Sequence, residues 1–138
     1  MPITTTVANQ VVNHLVGRTG SLNFAGTVYL ALSTSTPTAA GGNVTEPSGN
    51  GYTRKLLGNY NQSYTQLMGA AASGQSENSE EIHFNKATGS WGTITHVCLY
   101  SAATGGTLLA YGALTESKAV TEGDVFVIDA GDLEVALS

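Results

Sequence analysis

Apolar and polar residues recur with two different periods along this chain, and the first period is helical. Five apolar side chains within residues 4–16 form one stripe at spacings of three and four residues: Val7, Val11, Val12, Leu15 and Val16. This spacing predicts an amphipathic helix, because residues three and four apart share a helix face. The threonines at 4–6 are candidate N-caps, and Gly17 or Gly20 is a candidate end. Because valine is a weak helix former, the helix needs a surface to pack against.

From residue 27 the period changes to two, which is the period of a β-strand. Residues 27–33 place three aliphatic side chains on one face and Tyr29, Ala31 and Ser33 on the other. Further strands are predicted at 52–57, 82–85, 92–100, 107–114, 124–128 and 133–137, with a short candidate at Val120. In residues 92–100, alternation places Ile94 on the face of Cys98 and opposite Val97.

Short strands separated by glycine-rich turns are typical of an all-β fold. The sequence therefore predicts a single domain over residues 1–138, mainly β: an antiparallel β-sandwich, jelly-roll-like or immunoglobulin-like, with one short N-terminal helix within residues 1–20. Residues 36–51 contain repeated proline and glycine and are predicted to be a long loop. Residues 58–81 are predicted to be irregular, with residues 70–81 expected to be exposed and mobile.

The composition narrows the class of protein. Charged residues make up 11% of the 138 residues, against roughly 25% in an average domain, and the net charge is −5. The five Lys and Arg residues are scattered, which argues against nucleic-acid binding through phosphate contacts. No apolar run approaches the roughly 18 residues of a membrane span, and the start of the chain lacks the basic and apolar regions of a signal peptide. A weakly charged surface suits a protein that packs against neighbours or is displayed extracellularly.

The sequence contains no recognisable catalytic constellation. Neither the nucleophile elbow of hydrolases nor a P-loop occurs, and Asn50-Gly51 is interpreted as a turn able to take positive φ. His14, His83 and His96 lack the spacing that directs two imidazoles at one metal ion, so we expect structural histidines. The lone Cys98 excludes an internal disulfide and a thiolate zinc cluster. We therefore predict no enzyme activity, no cofactor and no metal site.

Two groups of residues remain as alternatives to purely structural roles. Six of the ten acidic residues lie between residues 116 and 134, where carboxylates at turns are expected to cap backbone N–H groups rather than bind calcium. Tyr60, Gln62 and Tyr64 could form part of a carbohydrate-binding surface, because exposed aromatic rings stack on sugars. Aromatic residues in small β domains more often fill core edges and protein interfaces.

A series of strand and turn phrases resembles a known family. The phrases follow the N-terminal helix in order: VYLALSTSTP (28–37), EPSGNGYTR (46–54), ITHV (94–97), AATGGTLL (102–109), GD (123–124) and AGDL (130–133). With this order and spacing, the chain resembles small virion structural proteins of tailed bacteriophages, described as tail, tail-fibre-like or minor structural proteins. The resemblance implies a β-sandwich component of the virion and no catalytic residues.

The short length favours one location in the particle. A receptor-reaching fibre usually needs an elongated shaft, and this sequence shows no heptads or other internal repeats. We therefore predict a capsid decoration (cement) subunit that contacts the major capsid protein. The alternative is a tail- or baseplate-associated subunit, which could be a host-carbohydrate-binding module. A homo-oligomer is expected, with a trimer as one candidate. The predicted partner contacts are Val7, Val11, Leu15, Tyr52 and Arg54.

Overall fold

A computed structural model describes residues 1–18, 26–60 and 66–137 of the chain. Within these ranges the protein is mainly β, with one helix, as predicted. The elements are α1 (Thr5–Leu15), β1 (Thr27–Ser33), β2 (Lys55–Asn59), β3 (Gln75–Glu77), β4 (Ile82–His83), β5 (Gly92–Tyr100), β6 (Leu108–Val120), β7 (Val127–Ile128) and β8 (Glu134–Ala136).

Helix α1 is fixed at its start to the edge of β6. Thr4 precedes the helix, but its hydroxyl does not cap the helix; it donates to the carbonyl oxygen of Leu108 at 2.9 Å. The helix ends at Leu15 and is followed by Gly17, whose φ of 81° suits glycine and whose N–H donates to the His14 carbonyl oxygen at 3.2 Å. The predicted helix is thus confirmed, and the alternative end at Gly20 lies outside the described residues.

The main sheet has four antiparallel strands in the order β2-β1-β5-β6. Two ribbons, β3–β8 and β4–β7, contribute side chains to the core on one face of this sheet. The main core contains Leu30 and Leu32 of β1 together with Phe84, Phe126 and Leu133, which lie directly beside β4, β7 and β8 in the chain. This two-layer arrangement follows the sandwich pattern expected from short alternating strands.

The long loop covers part of the opposite face of the sheet. There a smaller buried cluster contains Ala31, Cys98, Tyr100 and Leu108. Val44, from the predicted loop 36–51, packs against this cluster. The interval between β1 and β2 contains no helix or strand, and the loop forms part of the packed structure.

A change of register between β5 and β6 overturns the predicted facing of Ile94. Ile94 is opposite Lys118, whereas His96 is opposite Ala113, so β6 carries additional residues across this interval. A bulge of this kind breaks the alternation of side chains along a strand. Ile94 is fully buried in the main core with Val97, and its predicted place on the face of Cys98 is wrong.

Several strand boundaries also differ from the prediction. The strands predicted at 82–85, 124–128 and 133–137 are shorter in the structure, where they are β4, β7 and β8. Strand β2 begins at Lys55 instead of residue 52, because Tyr52 and Arg54 take part in contacts with the loop. Strand β6 continues without interruption to Val120, so the residue predicted as a separate short strand is the end of β6.

The interval 58–81 contains ordered structure that periodicity did not reveal. Strand β3 lies within it, and Asn78 is 1% exposed. The side-chain amide of Asn78 donates to the carbonyl oxygens of Glu80 and Asp129 at 2.8 and 2.9 Å, and its oxygen accepts from the Leu133 N–H at 2.9 Å. A buried amide with these partners ties the two ribbons together, since leaving it unpaired would be costly.

Candidate functional site

The loop that contains the phrase EPSGNGYTR closes on a charged cluster formed by its own ends. Arg54 donates from Nε to Glu46 Oε1 at 3.0 Å and from Nη2 to Glu46 Oε2 at 2.8 Å. Tyr52 donates from its hydroxyl to the same Oε1 at 2.7 Å. Two-pronged pairing of arginine with a carboxylate is among the stronger polar interactions in proteins, so this contact holds residue 46 beside residue 54.

Arg54 also connects the loop to the turn between β5 and β6. Its Nη1 donates to the carbonyl oxygens of Ala102 and Gly105, both at 2.8 Å. The guanidinium carbon lies 3.8 Å from the ring centroid of Tyr100, the geometry of a cation–π contact. The Arg54 side chain is only 7% exposed, so most of its polar capacity serves contacts within this chain.

A tight reversal at Asn50 and Gly51 brings Glu46 and Arg54 together. Asn50 and Gly51 have positive φ values of 55° and 81°, which confirms the turn expected from this dipeptide. The Asn50 carbonyl oxygen accepts from Trp91 Nε1 at 2.8 Å and from the Thr88 N–H at 2.9 Å. The reversal is therefore fixed to residues 88–91 by hydrogen bonds to the Asn50 backbone. The charged cluster is thus positioned by these bonds as well as by its own ion pair.

The electrostatics of the cluster fix its protonation states near neutral pH. Burial on its own raises the pKa of the Glu46 carboxyl, but hydrogen bonds from Arg54 and Tyr52 outweigh it and the pKa lies below its usual value. The hydrogen bond to Glu46 raises the pKa of the Arg54 guanidinium. Burial, reinforced by Glu46, raises the pKa of the Tyr52 phenol well above its usual range. The cluster is thus a carboxylate, a cation and a neutral phenol over a wide pH range.

Cys98 lies on the same face of the sheet and does not have the properties of a nucleophile. It is fully buried, and burial raises the pKa of its thiol to about 12. A reactive cysteine requires a lowered pKa and access to solvent. Burial also raises the pKa of the neighbouring Tyr100 phenol. The charged cluster and its neighbours thus serve to hold the loop in place.

The predicted partner contacts fall in two places. On α1, Val7 is buried, Val11 is half-buried and Leu15 is 78% exposed. Tyr52 and Arg54 lie in the cluster described above. The loop contacts the start of the helix, where the Thr5 N–H donates to the Ala39 carbonyl oxygen at 3.0 Å. At the outer end of α1, Val12 and Val16 are also exposed.

The residues of the carbohydrate alternative are only partly described. Tyr60 is 59% exposed, whereas Gln62 and Tyr64 lie outside the described residues. This alternative stays a prediction.

The histidines and one acidic residue have clear local partners. Nδ1 of His96 lies 2.8 Å from the Thr95 hydroxyl, and Nδ1 of the exposed His83 lies 3.8 Å from Oε1 of Glu81. Asp124 accepts from the N–H of Thr121 at 2.9 Å, which confirms turn capping for this carboxylate. Within residues 1–18, 26–60 and 66–137, no three potential ligands lie close enough to hold a metal ion. The described helix lacks the length and apolar character needed to cross a bilayer.

Sequence reasoning missed Glu46, although it identified both partners of this carboxylate. A weak signal was available, because Glu46 and Arg54 are opposite charges on the two sides of a turn dipeptide. Asn78 was also missed, and nothing in the sequence pattern distinguishes it from an asparagine in an exposed loop.

Comparison with protein families gives an assignment for almost the whole chain. Residues 2–136 match the model of a family described as Podophage GP4 fiber I protein gp80. The chain belongs to this family. The match confirms the resemblance to virion structural proteins of tailed phages and supports a place in the virion among other virion proteins. A search of curated proteins gave no match.

Proposed function

We propose that this protein is a non-enzymatic structural subunit of a fibre on the phage tail. The observation that carries the proposal is the match over residues 2–136 to a family described as a fibre protein. It favours the tail alternative over capsid decoration, which was the first prediction from length and stays a prediction. The geometry agrees with a structural role, because Glu46, Tyr52 and Arg54 use their polar groups to hold a loop in place.

We further propose that the fibre contains several copies of this chain and that copies meet at the outer end of α1. Val12, Leu15 and Val16 are 56%, 78% and 69% exposed there. Residues 5–15 carry no Asp, Glu, Lys or Arg, so two copies of this surface can approach without repulsion between such charges. Val7 and Val11 support the contact from the inner side of the helix.

For Tyr52 and Arg54 we propose an indirect role in assembly. Their side chains fix the shape of residues 46–54, and the exposed parts of that loop are then presented in one conformation. A rigid loop lowers the entropic cost of forming a contact with a neighbour.

Localisation on the particle tests the fibre proposal. Virions that carry an epitope-tagged copy of this chain would be labelled with gold-conjugated antibody and imaged together with detached tails. Label on fibres of detached tails supports the proposal. Label spread over the capsid surface overturns it in favour of decoration.

Light scattering on the purified protein tests self-association. The wild type is expected to form an oligomer, and Leu15→Glu is expected to shift it toward the monomer. Leu137→Glu is the matched control, because Leu137 is also exposed, at 56%, and directly follows β8 instead of lying on α1. A wild-type protein that is monomeric at all concentrations, or equal dissociation by both variants, contradicts contact through α1.

A further inference from the structure

A groove with an apolar floor lies between β6 and two segments that contain parts of β7 and β8, residues 126–128 and 132–134. Its volume is about 680 Å³, within the range typical of ligand and peptide sites. Val97, Phe126 and Leu133 lie at its base and are at most 4% exposed. Leu114 and Ile128 are half-buried in its walls, so apolar surface remains accessible inside it.

The rim of this groove is acidic. Glu116, Asp132 and Glu134 line it, and all three residues are exposed. The side-chain cation among the lining residues is Lys118, whose ammonium lies 5.5 Å from the ring centroid of Phe126. The three carboxylates outnumber this ammonium and the Met1 α-amino group, so the groove is negative and a cationic partner would be attracted to it.

One wall of the groove is the outer edge of β6, and the chain itself shows how this edge binds an extended segment. Residues 2–4 lie along it: the Thr4 N–H donates to the Leu109 carbonyl oxygen at 2.9 Å, and the Tyr111 N–H donates to the Pro2 carbonyl oxygen at 3.0 Å. Met1 then packs on Gly112, at the mouth of the groove.

Beyond that point, Ala113, Lys118 and Ala119 of β6 pair with β5 on the inner side, and residues 114–117 form the bulge between these pairs. No other strand of the described chain pairs with residues 113–119. An unpaired strand edge beside an apolar groove favours binding of another extended segment.

We propose that this groove binds an extended segment of a neighbouring virion protein that alternates basic and apolar side chains. In an extended segment, alternate residues point in opposite directions, so the apolar side chains enter the floor while the basic ones reach the acidic rim. The choice of a virion protein as partner rests on the proposed function, whereas the preference for a basic extended segment rests on the groove alone.

A second copy of this chain fits the groove poorly. The chain has a net charge of −5 and five cations, of which only Arg54 and Lys55 are adjacent. The Arg54 side chain is already held by Glu46 and by two carbonyl oxygens. The described chain thus offers no extended basic segment of its own, and the partner is a different protein.

The test uses the full chain and two synthetic peptides with blocked ends, one alternating lysine with valine and the other alternating glutamate with valine. Binding is followed by fluorescence anisotropy and by amide chemical shifts. The lysine peptide is expected to bind, to shift the amides of residues 113–119, and to bind more weakly as salt is added. The glutamate peptide is expected not to bind.

A double charge reversal, Glu116→Lys with Glu134→Lys, is expected to weaken binding of the lysine peptide about three- to tenfold, as loss of two surface ion pairs predicts. The control reverses the same total charge at exposed residues that do not line the groove, with Glu80→Lys and Glu122→Lys. Equal binding of both peptides, or equal weakening by the two double variants, overturns the proposal. Because these measurements do not depend on the position of the protein in the particle, they can fail or succeed separately from the fibre assignment.

Discussion

The phenol of Tyr52 occupies the place of a strand backbone beside Leu32. The Leu32 N–H donates to the Tyr52 hydroxyl oxygen at 3.0 Å. The last register pair of β1 with β2 is Leu30 with Lys55, so Leu32 lies where the neighbouring strand has already ended. The same hydroxyl donates onward to Glu46 at 2.7 Å, and a buried strand end is thereby linked to the charged cluster of the loop.

Tyr52→Phe should therefore destabilise the fold by about 1–3 kcal/mol, because the buried Leu32 N–H loses its acceptor while the ring contacts are retained. The free energy of unfolding in urea measures this loss. Tyr60→Phe is the control, since Tyr60 is 59% exposed, and it should change stability by less than about 0.5 kcal/mol. Equal effects of the two substitutions would show that the Tyr52 hydroxyl contributes nothing.

The Glu46 carboxylate should make stability depend on pH in the acid range. Its pKa in the folded protein lies below the ordinary value of 4.5, because hydrogen bonds from Arg54 and Tyr52 outweigh the opposing effect of burial. A lowered folded-state pKa adds stability above the unfolded pKa, and this contribution is lost as the pH falls through the folded pKa.

Glu46→Gln should accordingly be less stable than the wild type by about 1–3 kcal/mol at pH 7, with a difference that shrinks as the pH falls below about 4.5. Urea unfolding at a series of pH values measures the two curves. Glu122→Gln, at an exposed turn, is the control and should run parallel to the wild type. A difference between Glu46→Gln and wild type that stays constant from pH 7 to pH 3 would contradict the assigned direction.

Gly89 and Asn50 should behave as a coupled pair. A Cβ added at Gly89 would lie 2.6 Å from Asn50 Cγ and 2.7 Å from its Oδ1, closer than real contacts allow. Gly89→Ala should cost about 1–3 kcal/mol, as overpacking does, and Asn50→Gly in the same chain should recover part of that cost. Gly42→Ala is the control, because its added Cβ would meet only the Thr38 hydroxyl, at 3.5 Å. Additive effects of the two changes in a double-mutant cycle would rule out the clash.

The parts of the fold that follow a single unbroken period could be predicted from the sequence. Strands β1 and β5 have the predicted bounds, because continuous alternation marks where each strand begins and ends. Ile94 was assigned to the wrong face because the bulge depends on how β5 pairs with β6, and pairing is not visible in one strand. The fold class could thus be predicted from the sequence more readily than the register of β5 with β6.

The charged cluster could be predicted only in part from the sequence, for a related reason. Arg54 was predicted to contact a partner protein. Whether it meets Glu46 instead depends on the conformation of the seven residues between them, which positive φ at Asn50 and Gly51 determines. The turn was predicted correctly, but the distance that it closes could be measured only in the structure.

The ribbon β3–β8 places two carboxylates directly opposite each other, Glu77 and Glu134. Side chains at directly opposed positions lie on one face of a sheet, and like charges there are destabilising. Glu77→Lys should therefore stabilise the protein by about 0.2–1 kcal/mol, because it replaces repulsion by attraction. Thermal unfolding at low salt measures the gain, which should decrease in 1 M NaCl as the charges are screened. Glu122→Lys makes the same change of net charge at an exposed turn away from this pair. If it raises the melting temperature as much as Glu77→Lys, the benefit comes from net charge and the opposed pair has no role.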